Sequence, residues 1–64
     1  MERQELEIEK VKLIGRLQAL RELKQKLRGK VDPKVLQAID REIDILEFTL
    51  DRIELMELEE RAYQ

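Results

Sequence analysis

The sequence predicts an all-α fold, an antiparallel two-helix hairpin of coiled-coil type that dimerises into a four-helix bundle. Three observations carry that prediction. The composition is 44% charged and 42% hydrophobic with only 3% aromatic residues, the balance of long helices rather than of sheets. A single break, Gly29-Lys30-Val31-Asp32-Pro33, interrupts the chain. On both sides of it apolar residues recur at spacings of three and four, the period of a helix face.

The first element is a helix over about residues 3–28. Leu6, Leu13, Leu20 and Leu27 repeat every seven residues, and Leu17 and Val31 occupy alternate positions of the same stripe. Lys10 and Lys24 occupy the remaining two. A lysine at a seam position lowers stability and can fix register or oligomeric state. Its aliphatic stem can also pack while the ammonium group reaches water.

The break, residues 29–32, follows. Gly29 suits the left-handed residue that closes a helix. Asp32 is a strong N-cap, and Pro33 at the first helical position gives up an N–H that has no partner there in any case. Val31 and Leu36 have the spacing of a hydrophobic staple across the cap. So short a connection makes the two helices antiparallel neighbours.

The second helix covers about residues 33–62. Leu36, Ile39, Ile43, Leu46, Leu50 and Ile53 form an uninterrupted seam. Folding the chain at the break sets Leu27 beside Leu36, Leu20 beside Ile43, Leu17 beside Leu46 and Leu13 beside Leu50. The same alignment predicts ion pairs of Arg21 with Glu42, Arg16 with Glu47 and Lys12 with Asp51, each worth about 0.2–1 kcal/mol. At the open end Leu6 falls opposite Glu57 and Lys10 opposite Ile53, so the seam is expected to weaken there. Tyr63 reads as an amphipathic terminal residue. The whole, residues 1–64, is one helical-hairpin domain.

The seam leaves apolar residues over. Ile45, Phe48, Leu55 and Met56, with Ala38 and Ala62, lie to one side of the second helix. Ile8, Val11 and Ile14 form a second stripe on the first, beside Gly15. A lone hairpin of this size has little interior, and small scaffolds without disulfides or metals commonly gain stability by association. There are no cysteines. These residues are therefore the expected protein interface, with a homodimer as the first expectation and docking on another protein as the second.

Charge is divided between the halves. Residues 10–30 carry eight basic residues against Glu22 alone, whereas residues 35–64 carry nine acidic residues against three basic. The plain reading is mutual neutralisation of neighbouring helices. The sharper one is that Lys12, Arg16, Lys26 and Lys30 contact nucleic acid through its phosphates. A sequence pI near 5.2 and the lack of aromatics in that stripe weigh against a dedicated binder.

No enzymatic site is expected. Histidine, serine and cysteine are all absent and the two glycines are isolated. Ordinary nucleophile–base pairs and glycine-rich phosphate loops are thereby excluded. Asp40, Asp44, Glu47 and Asp51 follow one side of the second helix. They read as a solvated acidic face rather than a metal site, so no metal, cofactor or catalytic residue is assigned. No run approaches the apolar length of about 20 residues that spans a membrane, and the charged N-terminus is unlike a signal peptide. A cytoplasmic location is the expectation.

In length and hairpin outline the chain resembles Rop-type RNA-regulating hairpins, a likeness of architecture without a shared residue motif. It implies a dimeric bundle, with RNA binding or regulation as the alternative function. Asp40-Arg41-Glu42-Ile43-Asp44 is similar at Glu42 and Asp44 to the Ser-Gln-Glu-Leu-Asp element of small sporulation phosphatases, but Asp40 stands where that element has serine. The function expected overall is a small non-enzymatic adaptor that binds a larger protein and regulates or scaffolds it.

Overall fold

Two helices joined by a tight turn make up the computed structural model, which describes Arg3–Ala62. Helix α1 runs Arg3–Leu27 and helix α2 runs Pro33–Ala62. They pack antiparallel into a rod of 51 × 15 × 13 Å. Tyr63 lies outside the described residues.

The turn is built by the residues that suit it. Gly29 has φ of +78°, a left-handed conformation that strains any residue bearing a Cβ. The Lys30 N–H donates to the Leu27 carbonyl at 2.9 Å and closes the end of α1. The Asp32 carboxylate accepts from the Lys34 N–H at 2.9 Å, and its carbonyl accepts from the Val35 N–H at 2.9 Å. This is N-cap geometry, with Pro33 as the first helical residue. Val31 and Leu36, on either side of the cap, are both half-buried.

The core is a single seam. Leu13, Leu17, Ile39, Ile43 and Leu46 form the buried cluster, against which Leu20, Leu27, Leu50 and Ile53 pack. Every α1 position from Leu6 to Leu27 assigned to the seam by periodicity is buried or half-buried, and so is every α2 position from Leu36 to Ile53. Periodicity succeeds because burying one large aliphatic side chain contributes about 1.5–3 kcal/mol, well above the differences in helix propensity.

The seam lysines are held by carboxylates of α2. Lys24 pairs with Asp40, and Lys10 Nζ lies 3.0 Å from Glu57 Oε1. The Lys10 side chain is 23% exposed and that of Glu57 17%. The hydrogen bond from Lys10 to Glu57 raises the lysine pKa above its usual 10.5, against the opposing effect of partial desolvation; the negative charges of Glu57, Glu7 and Glu54 add to the rise. The apolar cluster ends at Leu13 and Ile53, as the expected weakening has it, and the Lys10–Glu57 ion pair bridges the helices beyond it. Leu6, at 6% exposed, is among the best-buried side chains.

The three expected inter-helix ion pairs do not form, for a geometric reason. Matching residue levels along the axis fixes height but not side. In an antiparallel pair, like flanks of the two seams face one another. Arg21 lies on the flank shared with Glu47, whereas Glu42 projects from the other. Arg21 Nη2 accordingly donates to Glu47 Oε1 at 2.9 Å, more than a helical turn beyond the expected Glu42. Side chains lean toward the N-terminus of their own helix. In an antiparallel hairpin those leanings oppose, so long partners meet across levels that differ. Arg16 is on the flank away from Glu47, and Lys12 turns to Glu9 of its own helix at 3.9 Å.

Candidate functional site

Helix α2 has a second stripe on its outer surface. At about 100° per residue, Ile45, Phe48 and Leu55 project roughly 160° from the seam. Phe48 is 63% exposed, while Ile45 and Leu55 are each 56% exposed. Met56, also exposed, borders this stripe. The Arg52 guanidinium sits over the Phe48 ring, 5.9 Å from its centroid, a cation–π contact that partly screens one ring face. The Thr49 hydroxyl donates to the Ile45 carbonyl at 2.8 Å, so it turns back onto the helix.

Helix α1 also carries an outer apolar patch. Ile8, Val11 and Ile14 are all exposed. Ile14 borders the shallow groove that holds Arg21, Glu47 and Asp51. Ile8 and Val11 line an open apolar indentation with the stems of Glu7 and Lys12. Thus the α1 patch borders the Arg21–Glu47 flank through Ile14, whereas the α2 stripe faces away from the seam, with Met56 at its edge. The seven residues grouped by sequence as one interface are two surfaces separated by the hairpin. Gly15 adjoins the α1 patch, and a methyl group there would meet no atom within 4 Å. The hairpin does not use it for close helix approach.

Leu23, Val35 and Leu58 are further exposed apolar residues. Leu58, three residues after Leu55 and four before Ala62, adjoins the outer stripe of α2, and its spacing could have placed it there.

The basic residues divide by side. Lys10, Arg21 and Lys24 are engaged with α2 carboxylates. Lys12, Arg16 and Lys26 follow one stripe of α1, Lys30 lies beyond it in the turn, and all four are exposed. Among the described residues Arg16, Lys26 and Lys30 have no ion-pair partner within 4.0 Å.

The acidic row of α2 is partly engaged as well, since Asp40 pairs with Lys24 and Glu47 with Arg21. Among the described residues no three acidic groups are placed to hold a metal ion. The indentations near this row are open, and the one bordered by Lys24, Arg28 and Asp40 also includes Ile43. No described helix is long and apolar enough to cross a membrane.

The site is thus a pair of exposed apolar surfaces and a group of basic residues, three of them unpaired among the described residues, on a charge-laced rod. No protein-family model, curated protein or solved structure matches the chain.

Proposed function

We propose that the chain is a small non-enzymatic interaction protein, a helical hairpin that forms a homodimer and in that form binds and regulates or scaffolds a larger protein. The observation that carries this reading is the outer stripe of α2, with Ile45, Phe48 and Leu55 all more than half exposed on one helix face. Contiguous exposed apolar side chains of this size characterise interaction surfaces. A seam with six buried hydrophobic residues among the described ones gives a hairpin a further reason to associate.

Light scattering tests the dimer. The expected mass is twice 7.7 kDa, and Phe48→Glu should reduce it to that of one chain while lowering the thermal midpoint, because association stabilises the folded form. A wild-type mass of one chain at all concentrations would overturn the homodimer. Affinity capture with the wild type and with Val11→Glu then tests docking on a larger protein. A partner retained by the wild type and lost by the variant is the expected result.

The alternative is a nucleic-acid-binding or regulatory hairpin of the Rop-like kind. It is favoured by Lys12, Arg16, Lys26 and Lys30, three of which lack ion-pair partners among the described residues. Phosphate contacts of this kind weaken steeply with salt. A mobility shift with RNA at low ionic strength that fades as salt rises would support it, and no shift at low ionic strength would exclude it.

A further inference from the structure

The outer stripe of α2 is self-complementary. Measured from the level of Leu50, Phe48 and Arg52 stand equally far on either side, as do Ile45 and Leu55, and then Arg41 and Glu59. Ala38 and Ala62 repeat the relation at the ends of the helix. All eight side chains are exposed. These four pairs are chemically matched: small with small, aliphatic with aliphatic, ring with guanidinium, and positive with negative charge. Asp44 and Met56, on the edges of the stripe and also symmetric about Leu50, are an unmatched pair.

We propose that this stripe pairs antiparallel with the same stripe of a second copy, about a twofold axis at the level of Leu50. The inference rests on the homodimer reading and specifies its surface and register. A twofold interface demands such a pattern, since a residue meeting its mirror position on the partner must be met in return. The antiparallel sense follows from charge. A parallel pairing would place Arg41, Arg52 and Glu59 each against its own copy, three like-charge contacts in one stripe. The antiparallel pairing places Arg41 against Glu59 twice and sets Arg52 of one chain at the Phe48 ring of the other.

Among the described residues neither Arg41 nor Glu59 has an ion-pair partner within its own chain, so both are available. Asp51 approaches the axis from one flank beside the two Arg52 side chains, whose charge is opposite. The stripe lies almost opposite the seam. The four helices consequently stand in a row, α1–α2–α2–α1, rather than in a closed square, and the Ile8–Val11–Ile14 patch stays open on each outer edge.

Charge exchange tests this directly. Arg41→Glu places two acidic pairs across the interface, and Glu59→Arg places two basic pairs. Each variant alone should dissociate at least about tenfold more readily than the wild type, two attractions having become repulsions. An equimolar mixture should recover the wild-type association as a heterodimer, visible by native mass spectrometry. Both substitutions are at exposed positions, and circular dichroism should report unchanged helix content. A wild type of one-chain mass would overturn the homodimer reading together with the register. A dimeric wild type, with both single variants dimerising as before and no preference for the mixed pair, would overturn the register alone.

Discussion

The two faces of α2 both carry large apolar residues and meet different fates. The inner stripe, centred on Ile43, is buried, and Ile43 is 8% exposed. The outer stripe, centred on Phe48, sets Ile45, Phe48 and Leu55 among Arg41, Arg52 and Glu59, and Phe48 is 63% exposed. Large apolar residues stand on both, but the inner stripe is unbroken by charge and the turn at Gly29 delivers α1 to that face only. Periodicity thus identifies the residues that share a face, while connectivity decides which face the chain can cover by itself.

The largest expected effect lies on the inner face. Leu17 is 4% exposed, and Leu17→Ala should destabilise the fold by about 2–5 kcal/mol, read by urea unfolding followed by circular dichroism. An outer truncation such as Leu55→Ala should instead act through association, so its effect on the unfolding midpoint should grow with protein concentration. Equal, concentration-independent losses for both would erase the distinction between the faces.

Next in size is the cap that orients α2. Asp32→Ala removes the acceptor for the Lys34 N–H and should cost about 1 kcal/mol, again measured by denaturant unfolding. Gly15→Ala should shift stability by a similar amount in the opposite direction, about 1 kcal/mol more stable, because the added methyl group meets nothing within 4 Å. A destabilised Gly15→Ala dimer would instead reveal a chain packed closely on α1 at that point.

The smallest effect concerns the open end. The raised pKa of Lys10 means that its pairing with Glu57 stabilises the fold at pH below the ordinary lysine value of 10.5 and that this contribution is lost as pH rises through the folded-state value. Thermal unfolding should therefore show a loss of stability above about pH 10.5. The part of that loss due to Lys10 should vanish in a Lys10→Met, Glu57→Leu double variant.

Much of the fold was legible because strong local signals agreed with one another. Gly29, Asp32 and Pro33 each suit the conformation they adopt, and seam positions from Leu6 to Ile53 follow one period. The ion pairs were less legible. Arg21 selects Glu47 over Glu42 according to which flank each side chain occupies and how it leans, and summing levels along the axis contains neither fact. The apolar excess was visible as a list of residues, but not as two surfaces. Ile14 and Ile45 part company only once the Arg21–Glu47 contact fixes which flanks face each other.

Sedimentation equilibrium over a wide concentration range should show a two-chain species for the wild type and a helical, less stable single chain for Phe48→Glu. A wild-type protein that remains one chain throughout, or a variant that remains two, would contradict a homodimer held by this face.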